Sequence, residues 1–256
     1  MSKTGFASSG DGTRIAFDVH GKGTPVVLLH GFSDSRASWT AAGYTDALVR
    51  AGHLVVLVDS RGHGESDRPT DPRAYSGRHV LADLSAVLDV LELRQAAAMG
   101  FSMGGVSALA AAAFLPERIT SVVAIGAHPY AEDLSWLRGL LAGGVAGWVA
   151  AVEANVGRLD PGTCGRMLGN DGAALAAAIA ADRTDFSEAL ATSRRPVLAL
   201  LGDADPRHDA TLEMQRMANV EVLSLPGADH FGSFLAGREV LPEITAFLAG
   251  TLQEAR

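Results

Sequence analysis

A single cysteine, Cys164, in 256 residues excludes an internal disulfide, so stability has to come from packing, the ordinary situation in a reducing compartment. Basic charge is also scarce. Twenty-one Lys and Arg stand against 29 Asp and Glu, a formal net charge of −8. Without a positive field the chain lacks the usual attraction to phosphate backbones or anionic bilayers, so neither nucleic acid nor membrane is an expected partner. Residues 1–10 carry no basic start, apolar run or small-residue cleavage site of a secretory signal, which makes the cytoplasm the expected location. The most apolar stretch, 140–152, is interrupted by Gly143, Gly144 and Gly147 and falls short of the about 20 residues that span a bilayer. His20, His53, His63, His79, His128 and His208 show no paired spacing with carboxylates or cysteine, so no metal and no other cofactor is expected.

What the sequence does have is apolar substance, 48% of its residues, enough for one large domain rather than two. Residues 13–19 alternate apolar and polar and end at Gly21-Lys22-Gly23, the pattern of a half-exposed antiparallel strand and a turn. Residues 25–29, 54–58, 96–99, 122–125 and 197–201 are continuously apolar, as strands covered on both faces of a parallel sheet are. Between them, residues 78–94 place Val80, Leu81, Leu84, Val87, Leu88 and Leu91 on one helical face. Repeated strand and helix alternation predicts an α/β fold with a mostly parallel, doubly wound sheet whose binding crevice lies at the carboxyl ends of the strands. From 128 to 193 the alternation stops in Ala, Gly and Leu, which predicts several short helices inserted as a lid. The core is then 1–127 and 194–256, with a last strand over 219–225 and a closing helix over 234–252.

Three motifs fall at the predicted strand ends. Gly100-Phe101-Ser102-Met103-Gly104 follows one strand and opens an alanine-rich helix. A serine on such a turn is held in strained geometry with its hydroxyl exposed, and glycines two residues away on either side remove Cβ atoms that would collide. His30-Gly31-Phe32 ends the strand 25–29, and the backbone N–H groups of Phe32 and Met103 form a two-donor oxyanion hole beside Ser102. His30 itself is read as a structural side chain. Gly202-Asp203-Ala204-Asp205 and Ala228-Asp229-His230 follow the last two strands. His230 is the expected base, and Asp205 the carboxylate that orients it. Asp203 is read as a turn cap, and Glu132 or Asp133 is the next candidate acid.

With Leu29-His30-Gly31-Phe32, Asp59-Ser60-Arg61-Gly62-His63-Gly64-Glu65-Ser66, the Ser102 turn, Gly202 to Asp205 and Ala228 to His230, the sequence resembles the α/β-hydrolase superfamily over nearly everything except the lid. The resemblance implies the α/β-hydrolase fold, with N-terminal antiparallel strands and the serine, acid, histidine order of its triad. Within the family it is similar to the carboxylesterase, enol-lactonase, carbon–carbon hydrolase and cofactor-free haloperoxidase or perhydrolase group. It also implies that 59–66 is a structural loop beside the site, where composition alone leaves an anion-binding role for Arg61 and His63 open. An aspartate at 102 would have implied a dehalogenase or epoxide hydrolase.

The expected function is hydrolysis of a small to medium hydrophobic ester or lactone through an acyl-enzyme on Ser102. Carbon–carbon bond hydrolysis or perhydrolysis on the same triad, and a ligand receptor that keeps the fold, are the alternatives. Tyr130, Trp136, Trp148 and Phe231 are candidate substrate contacts, each equally readable as core packing. The expected partner is a small-molecule substrate, and a homo-oligomer stays open.

Overall fold

The continuously apolar segments form the middle of one eight-stranded sheet in the computed structural model, which describes residues 3–254. Its strands are β1 (Lys3–Ser8), β2 (Arg14–Gly21), β3 (Thr24–Leu29), β4 (His53–Val58), β5 (Ala96–Phe101), β6 (Ile119–Ile125), β7 (Val197–Gly202) and β8 (Val220–Leu225). They lie in the order β1-β2-β4-β3-β5-β6-β7-β8. The pairs β1/β2 and β2/β4 are antiparallel, and all the others are parallel. The chain reverses its direction of travel across the sheet at β3, so a crevice opens at the carboxyl ends of β3 and β5.

Helices cover both faces. Between β3 and β4 lie α1 (Ala37–Ala41) and α2 (Tyr44–Arg50); α3 (Gly77–Val90) precedes β5, and α4 (Met103–Phe114) follows it. Five helices separate β6 from β7: α5 (Ser135–Leu141), α6 (Gly144–Val156), α7 (Pro161–Leu168), α8 (Gly172–Ala178) and α9 (Ser187–Thr192). After β7 come α10 (His208–Glu213) and, beyond β8, α11 (His230–Leu235) and α12 (Gly237–Glu254).

The period-two geometry of a strand sends its side chains to alternate faces. Val27 and Leu29 of β3 thus join Leu84, Val87 and Leu88 of α3 and Leu109 of α4 on one side. Val26 and Leu28 join Leu48 of α2 and Ile244 and Leu248 of α12 on the other. A third cluster, built from Leu137, Leu141, Trp148, Val152, Met167 and Leu175 of the helical insert, has Phe32 and Phe231 packed against it. Leu190 of α9 instead packs in the main core.

Three features depart from the sequence pattern. The N-terminal residues form β1, paired with β2 from Lys3↔Val19 to Ser8↔Arg14; its sequence, Lys-Thr-Gly-Phe-Ala-Ser, has little strand character and is ordered by its partner. The helix expected over 78–94 stops at Val90, because the chain turns left-handed at Glu92, φ 55°. The helix expected over 234–252 is two helices, broken at Ala236. Asp229 starts the earlier one by accepting the Gly232 N–H at 2.6 Å. Among the described residues no single helix is long and apolar enough to cross a membrane, and α5 and α6, which together have the length, bend by 114°.

Candidate active site

Ser102 sits between β5 and α4 at φ 52° and ψ −113°, backbone that L-residues avoid and that costs on the order of 1–3 kcal/mol. Its surroundings hold it there. The Ser102 N–H donates to Ile125 O at 2.8 Å, and Ser102 O accepts from Val106 N at 2.9 Å. A Cβ on Gly100 would lie 2.1 Å from Gly104 O, and one on Gly104 would lie 2.1 Å from Leu29 O. The sharp turn therefore requires both glycines. Ser102 stays half-buried.

Opposite it, His230 is the first residue of α11. Its Nε2 lies 3.0 Å from Ser102 Oγ, and its Nδ1 lies 2.6 Å from Asp205 Oδ2. With Nδ1–H donating to the carboxylate, Nε2 is left as an acceptor for the serine proton. The Asp205 side chain is fully buried. Burial pushes its carboxyl up, but the His230 hydrogen bond and charge, with the Arg207 N–H and guanidinium, hold it below the usual carboxylate range. The Asp205 carboxyl is therefore ionised at neutral pH.

Two residues that sequence reasoning did not single out shape this arrangement. Gly126, at the end of β6, has φ +59°, and a Cβ there would lie 2.9 Å from His230 Cε1 and 3.5 Å from Asp205 Oδ2. Only a glycine leaves room for the imidazole in its bonded position. The Phe101 ring lies 5.0 Å from the His230 ring and stacks on Phe234 at 4.7 Å. A lone glycine after a strand and a variable position inside the serine turn carry no signal of either role.

The loop after β3 reaches the same point. His30 O would lie 2.6 Å from a Cβ on Gly104, and a Cβ on Gly31 would lie 2.8 Å from the Phe101 ring. Among the described residues, no backbone bond uses the N–H of Phe32 or of Met103. His30 is a structural side chain: its Nδ1 lies 2.7 Å from Gly31 O, and its Nε2 accepts the Ser60 N–H at 3.1 Å. In the neighbouring loop, Asp59 accepts the N–H groups of Arg36 and Glu65 and pairs with the Arg36 guanidinium. Arg61 is buried against Asp83 and Asp11, which leaves it no free charge for an external anion. His63 is buried, and burial with neighbouring His30 pushes its imidazole down to about 3.

Asp203 is exposed and accepts the Gly227 N–H at 2.7 Å, the work of a turn cap. Glu132 is engaged by Arg183 and Arg207. Of the four aromatic candidates, Phe231 lies beside His230, ring centroids 5.8 Å apart. Trp148 meets the Phe32 ring edge-on at 5.8 Å. Tyr130 packs against the main core, and Trp136, 46% exposed, lies under the Arg207 guanidinium. The structure thus brings Ser102, Asp205, His230 and Phe231 together and leaves Tyr130 and Trp136 outside that group. Among the described residues, no three His, Cys, Asp or Glu side chains converge as a metal site would require.

A family model for the alpha/beta hydrolase fold matches residues 24–163, more than half of the chain. The chain belongs to the α/β-hydrolase family. A Bacillus subtilis protein provisionally named 2-succinyl-6-hydroxy-2,4-cyclohexadiene-1-carboxylate synthase is 36% identical over 126 residues, 48% of this chain and 44% of the relative. Pig (Sus scrofa) bifunctional epoxide hydrolase 2 is 38% identical over 114 residues, 44% of this chain and 20% of the relative. This α/β hydrolase therefore aligns with less than half the length of either. In fold it is similar to a carboxylesterase structure from Nitrososphaera gargenis, with a TM-score of 0.84, 20% identity, and coverage of 98% of this chain and 100% of that one.

Proposed function

We propose that this α/β hydrolase is a serine esterase or lactonase that works through an acyl-enzyme. The observation that carries the reading is the continuous contact from Ser102 Oγ through His230 to the buried Asp205 carboxylate. In the first step His230 Nε2 takes the Ser102 proton as Oγ attacks the substrate carbonyl carbon. The carbonyl oxygen becomes an oxyanion and meets the N–H groups of Phe32 and Met103, each worth ~10²–10³ in rate. The dipole of α4, whose first turn begins at Met103, favours the same charge. His230 then protonates the leaving alkoxide, and the carbonyl re-forms as acyl-serine. Water, deprotonated by the same nitrogen, attacks that ester, and the carboxylic acid leaves with Ser102 reprotonated.

The apolar rings of Phe32, Trp148 and Phe231 favour a hydrophobic acyl or alcohol group of small to medium size. The insert over 128–193, which supplies Trp148, acts as a lid beside these rings. Serine at 102, rather than the aspartate that would favour epoxide or haloalkane chemistry, supports acyl transfer. The test is a panel of nitrophenyl esters and aliphatic lactones, with Ser102→Ala as the control. Wild-type turnover that exceeds the variant by several orders of magnitude is expected. Equal rates from the two proteins sink the reading.

A further inference from the structure

Asp205 has a second neighbour besides His230. Its other oxygen, Oδ1, accepts the Arg207 backbone N–H at 2.9 Å and lies 3.9 Å from Arg207 Nη1. The same guanidinium donates from Nε and Nη2 to Glu132 Oε1 at 3.0 and 2.7 Å and rests over the Trp136 ring at 5.8 Å. Glu132 also pairs with Arg183, and the backbones of these two residues form an antiparallel bridge at the base of the insert. Arg207 and Glu132 are each only 14% exposed in their side chains, so solvent screens their charges less than it would at the surface.

The charged and titratable groups around the acid and base come from five places. Arg207 comes from the turn before α10, Glu132 from the start of the insert, Arg183 from its far end, and His128 from the loop after β6. Burial, with Arg207 and Arg183 beside it, pushes the His128 imidazole down, and its buried Nδ1 has no protein partner. Asp229, the α11 cap, is occupied by the N–H of Gly232. Among the described residues, the one arginine or lysine whose charge reaches Asp205 directly is therefore Arg207, and its charge is partly cancelled by Glu132.

We propose that Arg207 is a positioning residue of the triad. Acting through Asp205, it lowers the proton affinity of His230, and Glu132 limits how far. The physical reason is competition. A cation beside the carboxylate draws on the negative charge that would otherwise stabilise the imidazolium, so the base stays neutral to lower pH. Because Glu132, Arg183 and Trp136 all lie in the insert, the segment over the site is also tied to the acid behind the base.

The inference rests on the acyl-transfer reading, and one experiment separates the two. An uncharged fluorophosphonate labels an active serine: an Oγ–P bond forms, fluoride leaves, and the serine proton passes to His230. Its second-order rate is followed on the full chain from about pH 5 to about pH 9, where the acid limb reports the base. Arg207→Met should move that limb up by about half a unit to one unit. Arg207→Lys keeps the charge and should leave it within about a quarter of a unit. Glu132→Gln frees Arg207 and Arg183 of their counter-charge and should move the limb down. A limb that stays in place in Arg207→Met, or that moves as far in Arg207→Lys as in Arg207→Met, overturns the inference, whatever happens to the overall rate. If Glu132→Gln does not fold, the Met and Lys variants decide. Failure of the wild type to label at any pH overturns the acyl-transfer reading and this inference with it, whereas normal labelling with an unmoved limb overturns the inference alone.

Discussion

Trp148 donates its indole N–H to Ser33 Oγ at 2.6 Å, joining α6 to the residue that follows Phe32. Ser33 is held left-handed at φ 60°, and two further contacts meet the insert there. Asn170 Nδ2 donates to Ser33 O at 2.7 Å, and Arg166 Nε donates to Asp34 at 2.6 Å. Asn170 also accepts the Gly64 N–H at 3.3 Å, which brings in the loop after β4. The loop that carries Phe32, the proposed oxyanion donor, is thus braced by helices of the insert.

Trp148→Phe keeps most of the ring but leaves Ser33 Oγ without its donor. Stability should fall by about 1–3 kcal/mol. A donor displaced by a fraction of an ångström should lower kcat roughly tenfold, with little change in KM, since the lost contact acts on the transition state. Thermal melting and steady-state kinetics on the same preparation check both. An unchanged kcat would show that the loop holds its shape unaided.

Asp205→Asn and Asp203→Asn offer a contrast between neighbours. The first removes the charge behind His230 and admits the wrong tautomer, a loss on the order of 10⁴ in kcat. In the second, the amide oxygen can still accept the Gly227 N–H, and activity should stay within about threefold of wild type. Ester hydrolysis by the two purified variants ranks them, and the reverse ranking would move the acid to Asp203.

Gly126→Ala tests the room around the base. The new methyl would sit 2.9 Å from His230 Cε1 in backbone at φ +59°, so both strain and collision oppose it. The variant should lose about 1–3 kcal/mol of stability and most of its activity. Chemical denaturation and ester turnover read the two effects, and a fully active Gly126→Ala would mean that the imidazole works from another position.

His63 sets a pH dependence of folding. Its folded value of about 3 lies below the roughly 6.5 of an unfolded chain. The unfolded state therefore binds more protons between those values. The contribution of neutral His63 is complete above about pH 6.5 and is lost progressively as pH falls toward about 3. His53 and His128, also pushed down mainly by burial, act in the same direction. Denaturant midpoints should drop between about pH 7 and about pH 5, and less steeply in His63→Gln. Parallel slopes for the two proteins would assign the acid sensitivity elsewhere.

What could be read from the sequence followed burial. Strands β3 to β7 are covered on both faces and announce themselves as unbroken apolar runs. Ser102 and Asp205 could be located because each follows such a strand, and His230 because it follows the half-exposed last strand, β8, in the order serine, acid, histidine. β1 could not be read, since its Phe6 is half-exposed and its pairing partner supplies the order. The split between α11 and α12 was hidden because apolar periodicity continues across Ala236, while the Asp229 cap that sets the start acts through one hydrogen bond. Gly126 and the Arg207–Glu132 pair were hidden for a different reason. The first matters through an atom that it lacks, and the second joins residues 75 positions apart whose side chains have no periodicity to betray them.

Ser102 and His230 are separated by 128 residues, and β6, the insert, β7 and β8 all lie between. During synthesis the serine turn can form on β5 and β6 long before its proton acceptor leaves the ribosome. Until the last strand has docked and α11 has been capped, that hydroxyl is an ordinary alcohol. Under the acyl-transfer mechanism proposed above, the nascent chain is chemically silent toward esters, and reactivity switches on only when the strands and helix that carry Asp205 and His230 have arrived.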